Sequence, residues 1–204
     1  MIDVHCLVHK TSPYFPKLID SMKGQFANFH VVDNGSNIGE GRINGFAIGD
    51  SPYVASVDYD DFVMPGIFRK IEETLERGAD WVYTDEVIVD AEGNAIIPGW
   101  SSNPKLYVDD ILNLHRVSDN DFCHHILAFR RELLTKEMKY IMRQLVELSE
   151  VYLKDELRRS SNYVHIKEVG YFWRLYGGNG IDGSYIATEI FRRNNGSIIK
   201  ANGS

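Results

Sequence analysis

Three short apolar runs, each ending on a polar cluster, set the strongest limit on how this chain can fold. They are IDVHCLVH (2–9), NFHVVD (28–33) and SPYVASVD (51–58). Between and after them the apolar spacing changes to that of helices. Tyr14, Leu18, Ile19 and Met22 fall on one face of a helix predicted from Pro13 to about Gly24. Ile67, Phe68, Ile71 and Leu75 do the same after Pro65, which a first helical turn tolerates, and Gly78 ends the helix. Residues 81–98 read as strand, Glu-Gly-Asn turn, strand. Strand–helix alternation through residue 90 predicts βαβ units and a mainly parallel sheet. Ligands of such sheets bind outside the carboxyl ends of the strands. His9-Lys10-Thr11, Asp33-Asn34-Gly35-Ser36 and Asp58-Tyr59-Asp60-Asp61 stand at those ends, so they are expected to converge on one edge.

The chain has 204 residues, which suits one domain, and 44% apolar residues, enough for a real core. No apolar stretch approaches the roughly 20 residues of a membrane span. The start, MIDVHCLVH, is strand-like and unlike a signal peptide. Cys6 and Cys123 lack metal spacing and read as reduced core thiols of a cytoplasmic protein. Residues 1–100 carry 7 Lys/Arg against 16 Asp/Glu, and residues 101–204 carry 15 against 13. An acidic first half suits a cation; a second half leaning basic suits an anionic group, although a random surface spread gives the same counts.

Asp58, Asp60 and Asp61 crowd three carboxylates into four positions, which repel unless solvated or shared with a cation. Mg²⁺ or Mn²⁺ takes oxygen ligands, keeps several waters, and is commonly held by one or two carboxylates plus a diphosphate. There it would neutralise charge on a leaving phosphate. A solvated loop is the competing reading, and position after an apolar strand favours the cation.

VVDNGS, then Asn37, Gly39, Arg42 and Asn44, then YVASVDYDDFVMP, resemble the family 2 glycosyltransferases. The similarity continues through ADWVYTDEVIVDAEGN and HHILAFRRELL to NYVHIKEVGYFWRLYGGNGIDGSY, in the family's order. The resemblance implies an α/β GT-A (Rossmann-like) fold, a mixed, mainly parallel sheet flanked by helices. It implies a single domain, with residues 1–100 as the nucleotide-sugar donor half and 101–204 as the acceptor half. Transfer of a sugar from a nucleotide-diphosphate donor, a UDP-sugar, would depend on Mn²⁺ or Mg²⁺ and invert the anomeric centre. Carried over, Thr11 and Asp33 would touch the nucleoside, Arg42 the diphosphate, and Asp58 the ribose or metal. Asp60 and Asp61 would hold the metal or its waters. A turn-capping carboxylate is the alternative for Asp33, and a surface ion pair for Arg42. VDNGSNIGEGRING runs together two motifs that the family separates by a helix and a strand. Phe172 stands where the family often has a metal-assisting histidine.

An inverting transferase needs a carboxylate to take the acceptor hydroxyl's proton. SEVYLKDELRR loosely matches the family's helix motif and aligns Glu150 with that base. Residues 136–159 read as one helix, with Met142, Val146, Leu153 and Leu157 on a stripe that includes Glu150. Partial desolvation there would raise its pKa toward a base's useful range. An exposed surface glutamate is the alternative, and Asp155, Asp119 and Asp121 are reserves. His124, His125 and His165 lack zinc spacing and read as core or surface residues. Tyr171, Phe172, Trp173 and Tyr176 could stack on a ligand or pack.

Phosphatase chemistry would need the acidic motif on the first strand, and a nucleotidyltransferase a glycine-rich basic loop there; neither is present. A non-catalytic nucleotide-sugar-binding relative is the remaining alternative. The acceptor is a glycan, a lipid-linked glycan or a modified nucleic acid, with Arg130-Arg131, Arg158-Arg159 and Arg192-Arg193 as candidate phosphate contacts. A pI near 5.5 lacks the basic footprint of ordinary DNA binders.

Overall fold

β1 (Ile2–Val8) is buried along most of its length because it lies between two parallel neighbours, β2 (Ala27–Asp33) and β3 (Tyr53–Asp58). The computed structural model describes residues 1–8, 12–33, 37–102, 116–118, 121–160 and 162–175. Val8 pairs with Asp33 and Leu7 with Asp58, so both acids finish their strands at the same sheet edge.

The sheet continues through β9 (Ala128–Arg130), β5 (Trp81–Val89), β10 (Tyr163–Arg174) and β4 (Phe62–Val63). β9 is antiparallel to both β3 and β5, which restores the common direction for β5 and its parallel neighbour β10. β4 and β6 (Ala95–Pro98) add antiparallel edges, and β7 (Arg116–Ser118) pairs with β8 (Asp121–Phe122) separately. The sheet is mixed and mainly parallel, as its sequence predicts.

Helices cover both faces. α1 (Phe15–Met22) and α3 (Ile67–Glu76) place Leu18, Met22, Phe68, Ile71 and Leu75 in one core. On the other face α2 (Ile38–Phe46), α4 (Lys136–Leu145) and α5 (Ser149–Ser160) contribute Ile43, Phe46, Met138, Met142, Leu153 and Leu157. Cys6 and Cys123 are free and buried, one in each core.

Two elements depart from the sequence reading. The stretch after Asp33 contains a helix, α2, capped by Asn37, whose side chain accepts from the Glu40 N–H at 2.9 Å. Glycine is a weak helix former, but at position 39 it permits close packing. A Cβ there would lie 2.2 Å from the Met142 carbonyl oxygen of α4. Gly39→Ala must push two helices apart, and an expected loss of about 1–3 kcal/mol in urea unfolding checks this seating. Unchanged stability would contradict it.

The single helix predicted over 136–159 is two. A 3₁₀ turn over Val146–Leu148 separates α4 from α5, and Val146 adopts φ 48°. A β-branched residue rarely takes that conformation, and nothing in the local pattern announces it. The break re-aims Glu150, which lies in the first turn of α5.

Candidate functional site

The turn that follows β3 is held shut from several sides. The Asp61 N–H donates to the Asp58 carbonyl at 3.3 Å, and the Asp58 N–H donates to the Tyr171 hydroxyl at 3.0 Å. Arg174, buried at the end of β10, donates its main-chain N–H to Asp61 Oδ1 at 2.7 Å and its Nε–H to the Asp60 carbonyl at 2.8 Å. Its guanidinium also bonds the Asp90 and Ala91 carbonyls and lies over the Tyr14 ring. One side chain thus ties the acidic turn to the turn between β5 and β6.

Asp61 is 1% exposed, and its Oδ2 is buried with no hydrogen-bond partner among the described residues. Burial pushes its carboxyl well above the usual range; Asp60 and Asp58 add to this, while His125 and the Arg174 N–H oppose it. Asp58 lies partly exposed in the combined field of His125, Glu150, Asp60 and Arg42.

His125 lacks zinc spacing in the sequence, yet it faces this cluster. Its Nε2 lies 3.5 Å from Asp58 Oδ2, and its Nδ1–H donates to Glu86 Oε2 at 2.9 Å. Glu86, on β5, is fully buried and also accepts from His124 Nδ1 at 3.0 Å and the Trp100 N–H at 2.8 Å. Burial disfavours the Glu86 charge, but the two histidines hold its pKa well below the carboxylate range. His125 is likewise penalised by burial and yet raised to about 9 by Glu86, Asp61 and Asp58. His124, with the same burial and the His125 charge beside it, falls to about 4. Asp58, Asp61 and His125 offer donor atoms all within 4.8 Å of one another, and so do Glu86, His124 and His125.

Glu150 reaches the same place from α5. Its Oε2 accepts from Arg42 at 2.5 Å and its Oε1 from Lys154 at 2.6 Å. Lys154 is buried and also donates to the His124 carbonyl; Arg42 also donates to Ser149 Oγ at 3.1 Å. The expected rise in Glu150 basicity is therefore reversed. Burial does raise its pKa, but Lys154 and Arg42 outweigh burial and hold it well below the ordinary value. Arg42, expected near a diphosphate, turns toward Glu150 and Ser149 while remaining in the field of Asp58.

Among the other sequence candidates, Asp33 is exposed at the end of β2. Thr11, Asp119, Tyr176 and Arg192-Arg193 lie outside the described residues, as does the Asp121 side chain. Asp155 pairs with Arg158 and Arg159 on the outer face of α5. Arg130 and Arg131 bind carbonyls within the fold and the Asp80 and Asp3 carboxylates, so they act in packing rather than as phosphate contacts. His165, read as an outward strand position, instead stacks on Tyr83 and bonds Asp85 at 2.7 Å. Tyr171 and Trp173 are core residues, and Phe172 stacks on Phe62.

No family model and no curated protein matches the sequence. Solved structures do. The chain is similar to S. aureus TarS 1-349 in complex with UDP-GlcNAc, at 14% identity and a TM-score of 0.60, over 93% of this chain and 66% of that one. The same TarS segment in complex with UDP gives 15% identity and 0.56, over 93% and 65%. Against the S. aureus TarS structure not limited to 1-349 the figures are 15% and 0.53, over 93% and 39%. The chain thus spans about two thirds of the TarS 1-349 segment and well under half of the longer chain. At this identity the likeness carries the architecture, and the architecture is the GT-A-like α/β fold of TarS.

Proposed function

We propose that this chain binds a nucleotide-sugar donor, a UDP-sugar, at the carboxyl ends of β1–β3 and transfers the sugar to an acceptor hydroxyl with inversion. The observation that carries the reading is the gathering of Asp58, Asp61, His125, Arg42 and Glu150, from four separate segments, at that edge. Support comes from the TarS fold, since TarS crystals hold UDP-GlcNAc and UDP.

The donor set fits one divalent cation. Three ligand atoms lie within reach of a single ion, and Asp61 Oδ2 is a buried oxygen that such an ion would satisfy. Bound Mn²⁺ or Mg²⁺ would supply charge neutralisation for the diphosphate leaving group. In this reading Asp58 and Asp61 hold the ion, Asp60 its waters, and Asp33 and Thr11 the nucleoside. Arg174 keeps the acidic turn in place. Glu150 stays a carboxylate at neutral pH and accepts the acceptor's proton. A donor diphosphate competes with Glu150 for Arg42, so the carboxylate gains basicity as the donor arrives. The clamped state of Glu150 favours one second reading, a relative that binds the donor without transferring it.

A thermal-shift screen of nucleoside diphosphates tests the proposal. UDP with Mn²⁺ is expected to raise Tm more than UDP with EDTA, because a ligand of the native state stabilises it by mass action. Asp61→Asn should remove the metal-dependent part and leave a cooperative melt. No shift with any nucleoside diphosphate under either condition would refute the donor site. A shift without turnover of UDP-sugars would favour the non-catalytic reading.

A further inference from the structure

The acidic turn offers only oxygen, whereas His125 brings nitrogen, and the way that ring is held decides which of its nitrogens faces the turn. Glu86 is buried and ionised, so it can only accept; it takes the Nδ1–H of His125 at 2.9 Å. Nε2 is thereby turned toward Asp58 and Asp61, and a cation bound there would take its lone pair in place of the proton those carboxylates favour. Carboxylate–imidazole–metal arrangements of this kind fix the tautomer and the orientation of a ligating histidine.

The support behind the ring is rigid. Tyr171 stacks on His125 at 4.7 Å between centroids and 11° between planes. Glu86 is itself fixed by the Trp100 N–H and by His124 Nδ1. Its side chain also lies so close to the backbone that a Cβ on Gly99 would fall 2.2 Å from Glu86 Cγ. Glycine at 99 is what lets the carboxylate sit there.

We propose that His125, oriented by Glu86, is the third protein ligand of the cation, and that this nitrogen makes the site prefer Mn²⁺ to Mg²⁺. The inference rests on the donor-site reading above and adds the identity of the ion. Two carboxylates and water suit either ion. An imidazole shifts the balance, because Mg²⁺ holds its waters and oxygen ligands tightly while later first-row ions accept nitrogen more readily. Glu86 is then a positioning residue, and Gly99 maintains the space it occupies.

The test uses the full chain with UDP and Mn²⁺, read by pulsed electron paramagnetic resonance and by competition with Mg²⁺. Bound Mn²⁺ in the wild type is expected to show nitrogen modulation from one imidazole. His125→Ala should lose that modulation and weaken Mn²⁺ at least tenfold while changing Mg²⁺ affinity less. Glu86→Gln leaves His125 in place but can donate to Nδ1, turning Nε2 into a donor; a loss of 10–100-fold in Mn²⁺ affinity is expected. Bound Mn²⁺ without nitrogen modulation in the wild type overturns the His125 assignment and leaves the acidic cation site standing. That readout needs no variant to fold. A wild type that binds neither ion overturns both.

Discussion

Glu150→Gln is expected to lower the rate of sugar transfer by 10²–10⁴, the usual effect of removing a general base, while UDP affinity holds or rises because Arg42 is released to the diphosphate. The amide keeps the size of the side chain but cannot take a proton. It also leaves Lys154 and Arg42, which the carboxylate holds at 2.6 and 2.5 Å, without their counter-charge. Some loss of stability must therefore accompany the kinetic effect, about 1–3 kcal/mol for weakened hydrogen bonds to two charged groups that keep the His124 carbonyl and the Ser149 hydroxyl. The kinetic comparison is made below the variant's melting range, alongside Asp155→Asn. Asp155 pairs outward with Arg158 and Arg159, so its variant should transfer at close to the wild-type rate. Wild-type transfer by Glu150→Gln would remove Glu150 from the chemistry.

The second large effect concerns the opposite end of the sheet. Asp3 is fully buried on β1, and its carboxylate accepts from Asn28 Nδ2 at 2.9 Å, His30 Nε2 at 3.2 Å, the Ser51 N–H at 2.9 Å and Arg131. Asp3→Ala leaves those donors unanswered, and breaking a buried charge pair costs about 3–5 kcal/mol. Arg131 keeps the Ser51, Phe46 and Ile48 carbonyls, which points to the lower end of that range. Burial alone would raise the Asp3 pKa, but Asn28, His30, Ser51 and Arg131 together lower it. A depressed folded pKa means the stabilisation is complete above the unfolded value near 3.9 and is lost as pH falls below it toward the folded value. Urea unfolding at pH 7 and through this acid window checks both claims. The wild type should lose stability there more steeply than Asp3→Ala, and equal slopes would exclude Asp3 as the acid-sensitive group.

What the sequence revealed depended on whether the signal was local. β1, β2 and β3 announce themselves through apolar runs, and the Asp58–Asp61 turn could be placed because it directly follows one of them. α2 has a readable cap in Asn37 and Glu40, but its three glycines, Gly39, Gly41 and Gly45, disfavour a helix locally. Its helicity comes from packing against α4 and β1, which no local pattern records. The break at Val146 is equally silent, since it sets a β-branched residue at positive φ.

The rest of the site is tertiary. His125 meets Glu86 across 39 positions, Arg174 meets Asp61 across 113, and Arg42 meets Glu150 across 108. Each residue has an ordinary neighbourhood in sequence. Spacing rules built for zinc motifs apply to ligands close in sequence and have no purchase on contacts of this range. The pKa of Glu150 went the same way. An apolar stripe argued for a raised value, whereas Arg42 arrives from a different helix and helps reverse it.

In the proposed site the acidic turn after β3 would receive a nucleoside diphosphate through a divalent cation. An anomalous difference map from crystals grown with UDP and Mn²⁺ tests it most directly. One strong peak is expected, bounded by Asp58, Asp61 and His125, with the diphosphate against it at the carboxyl end of β3. UDP bound elsewhere on the fold, or Mn²⁺ absent from this turn while UDP is present, would contradict it.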